Sequence, residues 1–101
     1  MSAHTSAPLF ETARGRVCRC GCCDRLELRF GNALLSLAPD DLSVVLGQLG
    51  AAEPGPAAPT REVTLFLAES GCGWVFTADE AAELHRLVAG TRLMLDVAAA
   101  A

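Results

Sequence analysis

The strongest constraint on this chain is a pattern that occurs twice. When the sequence is slid by 39 residues, Leu26 falls on Leu65, Leu28 on Leu67, Leu35 on Trp74 and Leu37 on Phe76. Asp40 and Asp41 then fall on Asp79 and Glu80, Val45 on Leu84 and Leu49 on Val88, with no gap. Each copy reads strand, strand, helix. Two copies are too few for a solenoid, so the pattern predicts a compact pseudo-symmetric domain in which each half buries the other's apolar face.

In residues 25–50, Leu26, Leu28 and Phe30 alternate with Arg25, Glu27 and Arg29, the period of a half-buried strand. Gly31-Asn32 supplies a turn, Leu35 and Leu37 continue the inward face, and Pro39-Asp40-Asp41 suits a helix start with Pro in its first position. Leu42, Val45, Leu46 and Leu49 follow at helical spacing. In residues 62–97, Val63, Leu65 and Leu67 point one way, and Cys72, Trp74 and Phe76 share a face of the returning strand. Thr77-Ala-Asp-Glu80 is a capping-box signature. Ala81, Leu84, Val88, Thr91 and Leu95 form the apolar stripe of the second helix, with Glu83, Arg86 and Asp96 placed away from it. A pause at Gly90 and fraying from Ala98 to Ala101 are expected.

The separator Gly50-Ala-Ala-Glu-Pro-Gly-Pro-Ala-Ala-Pro-Thr60 reads as a loop, since Pro removes backbone donors and no large apolar side chain is present. With 101 residues, 51% of them hydrophobic, the chain has room for one domain and its own core. The expected organisation is a single α+β domain: an irregular start over 1–13, a cysteine-rich hairpin over 14–24, a first ββα half over 25–50, a Pro/Ala loop over 51–61 and a second ββα half over 62–97. The expected fold is a small antiparallel sheet with two helices.

Chemistry concentrates in Arg16-Val-Cys18-Arg-Cys20-Gly-Cys22-Cys23-Asp24, which places four of the five cysteines within six residues. Met1 to Phe10 lacks the basic start and apolar run of an export signal, and no stretch approaches the ~20 apolar residues of a membrane helix. The expected location is therefore cytoplasmic, where an odd number of cysteines points to thiols or metal ligands rather than a disulfide framework. Cys20-x-x-Cys23 has the spacing of a metal knuckle, in which a tight turn aims two sulfurs at one ion, and Gly21 permits such a turn.

A structural zinc takes four ligands, and Cys18 and Cys22 are the nearby candidates. Cys72, His85 and His4 are the distant ones. Four clustered sulfurs also suit Cu(I) or an iron–sulfur cluster. The order of expectation is zinc, then no metal, then copper or iron–sulfur. A thiol redox pair ranks lower, because a strand rather than a helix N-terminus follows the motif. Cys72, which alternates with Trp74 and Phe76, is expected to be a buried inert thiol.

No Gly-x-Ser-x-Gly, phosphate-binding glycine loop or His-Glu-x-x-His is present, and the paired acids are explained by helix starts. The net charge of −4 argues against broad binding to nucleic acid or anionic membranes. Arg14, Arg16, Arg19, Arg25 and Arg29 leave a local basic surface near the cysteines as a secondary reading. Leu34, Phe66 and Val75 fall on the sheet face opposite the core, so that face calls for a cover, either a second copy of the chain or a terminal segment.

The run Cys20-Gly-Cys-Cys23-Asp-Arg-Leu-Glu-Leu-Arg-Phe-Gly-Asn-Ala-Leu-Leu-Ser-Leu37 with its acidic helix start resembles a family of small bacterial proteins of unassigned function. The likeness covers residues 9–97 and is most specific from the cysteine pair through Leu28-Arg-Phe-Gly-Asn32 and Leu35-Ser-Leu37. It implies a shared fold and a shared pair at Cys20 and Cys23. Family members also carry a further His or Cys near the start, to which only His4 could correspond here.

The sequence therefore predicts a non-enzymatic, metal- or thiol-dependent binding or adaptor module. Cys20 and Cys23, with Cys18 and Cys22, hold zinc structurally, and the partner is another protein or a second copy of the chain docked through the sheet face. The alternatives are soft-metal handling, a thiol redox switch and a purely structural interaction domain.

Overall fold

In a computed structural model of the chain, the described residues are 8–19, 24–50, 62–67 and 71–100. They form an α+β fold. A four-stranded antiparallel sheet runs β1 (Pro8–Glu11), β2 (Gly15–Arg19), β3 (Leu26–Phe30) and β4 (Ala33–Leu37) in chain order. Helix α1 (Asp41–Gly50) follows, then a two-stranded ribbon of β5 (Glu62–Leu67) and β6 (Cys72–Thr77), then α2 (Ala78–Ala100). Both expected ββα units are present, but their hairpins belong to separate sheets.

Strand alternation sets the core as expected. Leu26, Leu28, Phe30, Leu35 and Leu37 are buried from the first hairpin, and Val63, Leu65, Leu67 and Phe76 from the second. They join Leu42, Val45 and Leu49 of α1 and Ala81, Leu84, Leu87 and Val88 of α2 in one cluster. Phe30 and Phe76 meet edge to face at 5.8 Å, an aromatic contact that ties the two sheets together.

The register of the second hairpin corrects the ungapped comparison. Leu26 pairs with Leu37 and Leu28 with Leu35, whereas Val63 pairs with Phe76 and Leu65 with Trp74. The true counterparts of Leu26 and Leu28 are thus Val63 and Leu65. Residues 68–71 connect β5 to β6, where Gly31-Asn32 joins β3 to β4, so the second connection is two residues longer. A displacement of two preserves the inward face, which is why the apolar pattern matched in either alignment. Gly31 takes a φ of 57° while Asn32 stays negative, the arrangement of a tight type II′ hairpin turn.

The irregular start is also corrected. Pro8–Glu11 is a strand, paired to β2 with a bulge between Pro8 and Phe10. Four residues at a sheet edge are too few to show a period, so this strand depends on what it packs against. That contact is the Phe10 ring lying against α2 at Gly90, where a Cβ would sit 2.5 Å from ring carbons. Gly90 therefore marks a close approach, and α2 continues unbroken through it to Ala100.

Helix starts are built locally. Thr77 N–H donates to Glu80 Oε1 at 2.8 Å and Glu80 N–H donates to Thr77 Oγ1 at 3.2 Å, completing the capping box. At α1, Pro39 and Asp40 lie in a turn and the helix begins at Asp41, whose carboxylate accepts the Ala38 N–H at 2.9 Å. Gln48 on α1 spans the outer edge of β5, its amide donating to Phe66 O at 2.7 Å and accepting from Phe66 N–H at 2.8 Å. No helix among the described residues is long and apolar enough to cross a membrane.

Candidate functional site

Cys20, Cys22 and Cys23, the core of the expected knuckle, lie outside the described residues, as does His4. The strands on either side of them are described. The β2–β3 ladder runs to the pair Arg19 and Leu26, which leaves residues 20–25 as the connection. This is longer than the two to five residues common in hairpins.

Cys18 sits on β2 opposite Pro8 and Glu27 as a half-buried free thiol. Val17 beside it is fully buried, so alternation turns Cys18 toward the outer sheet face. Cys72 lies opposite Leu67 at the start of β6. Its side chain is outside the description. Among the described residues no three His, Cys, Asp or Glu side chains gather as a metal site.

The ends of the cysteine-bearing connection border a groove. Arg19 and Asp24 line a depression of about 380 Å³ together with Leu26, Pro39, Asp40 and Leu95. It continues past Pro39, Asp40 and Leu95 into a second hollow of about 480 Å³ reaching Ser43, Arg92, Asp96 and Ala99. Three elements converge there: the open end of β2–β3, the turn before α1 and the C-terminal half of α2. Arg92 Nη1 donates to Ser43 Oγ at 2.7 Å and its Nε lies 3.8 Å from Asp96 Oδ1, so the groove wall carries a fixed cation.

Helix α2 tracks from one end of the four-stranded sheet to the other. Glu83 meets the β1–β2 turn, Leu87 packs over Gly15, Phe10 lies against Gly90, and Leu95 reaches the groove. His85 is two residues past Glu83 and ten before Leu95. At 1.5 Å per residue it stands about 15 Å along the axis from Leu95.

The five N-terminal arginines do not form one surface. Arg14 is committed to Glu83 and stacks 5.5 Å over the Phe30 ring. Arg25 Nε donates to Ser36 Oγ at 2.8 Å. Arg19 lines the groove, on the face of β2 that carries Val17. Arg16 and Arg29 oppose each other on the outer face, beside Glu11 and Glu27 of the adjoining strands and register positions. Leu34, Phe66 and Val75 are exposed as expected, but Leu34 belongs to one sheet and the other two to the ribbon.

Sequence reasoning misplaced Glu83. It is 5% exposed rather than outside the stripe. Oε2 accepts the Thr12 hydroxyl and the Arg14 N–H, each at 2.7 Å, and Oε1 accepts Arg14 Nε at 2.7 Å. The Thr12 hydrogen bond, followed by the Arg14 backbone donor, holds its carboxyl at about 2, down from 4.5, against the opposing effect of burial. The partners lie 69 and 71 positions away, so no local signal could reveal them. The only hint is its place between Ala81 and Leu84, on the inward side of the helix.

Fold and groove define a small α+β protein of two unequal ββα units with a cysteine-bearing connection at one end. Comparison with family models, with curated proteins and with solved structures finds no match to the chain.

Proposed function

We propose that this chain is a non-enzymatic binding module in which Cys20 and Cys23, completed by Cys18 and Cys22, hold a zinc ion that stiffens the β2–β3 connection beside the groove. The observation that carries the reading is that Arg19 and Asp24, the described residues bounding the cysteine run, both line that groove. A metal in a connection of this length would hold one wall against Pro39, Asp40 and Leu95, leaving the groove as a surface for a protein partner. The four thiolates of Cys18, Cys20, Cys22 and Cys23 would match zinc in donor number and softness, with Cys18 on β2 two residues before Cys20.

Glu83 supports a structural rather than a proton-transferring role for the most perturbed acid. It is held ionised far below neutral pH and engaged by Thr12 and Arg14. The reading assigns no reaction and expects a cytoplasmic, reducing setting in which the thiolates stay available.

Elemental analysis of protein purified anaerobically, together with a free-thiol count, tests it. One zinc per chain, lost in the Cys20→Ser/Cys23→Ser variant along with thermal stability, is expected. Absence of metal with five free thiols sinks the proposal. Copper or iron in place of zinc would transfer the cluster to soft-metal handling, and a reversible Cys20–Cys23 disulfide without metal would make it a redox switch.

A further inference from the structure

The C-terminal half of α2 is apolar on the side turned away from the core as well as on the side facing it. From Leu87 to Ala100 only Arg92 and Asp96 carry charge, whereas Asp79, Glu80, Glu83 and Arg86 fall within the first nine residues. At 100° per residue, Ala89, Leu93, Val97 and Ala100 form a ridge opposite the buried Leu84, Val88 and Thr91. Leu93 is 61% exposed and Val97 56%, with Met94 beside them at 42%. A helix apolar on both faces is characteristically buried on both.

We infer that this ridge is a dimer interface, in which α2 packs antiparallel against α2 of a second copy about a two-fold axis passing near residue 95. Two features choose a second copy as the occupant. The ridge is self-complementary in size: reversing it lays Leu93 on Val97 and Ala89 on Ala100, with the small residues at both ends admitting close approach of the backbones. It is also self-complementary in charge. Arg92 and Asp96 lie four residues apart on one flank of the ridge, and their side chains are 46% and 68% exposed. In an antiparallel two-fold pair like flanks face each other, so Arg92 of each copy meets Asp96 of the other. The outer sheet surface offers no such match, since Leu34 is on one sheet and Phe66 and Val75 are on another.

Sedimentation equilibrium of the full chain over a dilution series is the test. A reversible monomer–dimer equilibrium is expected, between 10.5 kDa and twice that mass. Leu93→Glu should raise the dimer dissociation constant at least about tenfold, the effect of losing a buried apolar side chain from each copy. Arg92→Asp should weaken the dimer by roughly threefold, and Arg92→Asp/Asp96→Arg should restore it, because exchange preserves the pairing. Circular dichroism of the dilute variants checks that the monomer fold survives at these exposed positions. A chain that stays monomeric at all concentrations overturns the inference. A dimer insensitive to Leu93→Glu but broken by Phe66→Glu or Leu34→Glu also overturns it, in favour of the sheet face.

Discussion

The two ββα units begin from one apolar pattern and end in different surroundings. The first hairpin turns in two residues and is the outer half of a four-stranded sheet, with β1 and β2 extending it on the β3 side. The second has a four-residue connection, stands as a two-stranded ribbon, and has the outer edge of β5 bridged by the Gln48 amide. The helices diverge as well. The first runs 10 residues, and the second runs 23 and spans the sheet from the β1–β2 turn to the groove. Repeated local pattern therefore specifies a unit, whereas the neighbours that each unit acquires decide its size and role.

Because one core cluster draws on both units, the largest expected effect tests whether they stand or fall together. Leu28→Ala and Leu65→Ala each remove a side chain that is 1% exposed, and each is expected to cost about 2–5 kcal/mol. Trp74 fluorescence and far-ultraviolet circular dichroism should report one coincident transition in both variants. A Leu65→Ala protein that loses the Trp74 signal first would show the ribbon to be a separate unit.

A second contrast opposes the helices. Gly90→Ala drives a methyl group into the Phe10 ring and should cost about 1–3 kcal/mol despite the better helix propensity of Ala. Phe10→Ala in the same chain should recover part of that loss. Gly47 on α1 has open space around it, so Gly47→Ala should instead stabilise, by about 0.5–1 kcal/mol. Chemical denaturation of the two variants side by side checks the opposite signs.

Acid should loosen the attachment of α2 to the β1–β2 turn. The Glu83 carboxyl falls from 4.5 to about 2 on folding, so its stabilising contribution is complete above the ordinary carboxyl range and is lost as pH drops from about 4.5 through about 2. Thermal melts across that window should show a decline that Glu83→Gln removes, with lower stability of the variant at neutral pH. An unchanged slope in Glu83→Gln would assign the acid response elsewhere. The smallest effect expected is that of Gln48→Ala, about 1 kcal/mol or less for two exposed hydrogen bonds, with amide exchange accelerated at Phe66.

Much of the fold was legible because it is local. Alternation identified every inward residue of β3, β4 and β5, and Thr77 with Glu80 announced the start of α2. The cysteine cluster was equally plain in the sequence, and Cys18 is the one member of it among the described residues. The groove was not legible, since Arg19, Pro39 and Leu95 share no pattern and meet only because α2 crosses the end of the sheet. Pro8–Glu11 escaped notice for a similar reason, being a short edge strand held by a ring against a glycine 80 residues away.

Element types, their inward faces and their caps follow from residues a few positions apart, so they can be read along the chain. The sheet partners, the two-residue offset of the second hairpin and the burial of Glu83 emerge only when distant elements pack. The physical reason is that periodicity states which side of a strand or helix is apolar but not what it meets. A slip of two residues leaves that side unchanged. A charged side chain enters the core only when distant groups satisfy it, as Thr12 and Arg14 do for Glu83.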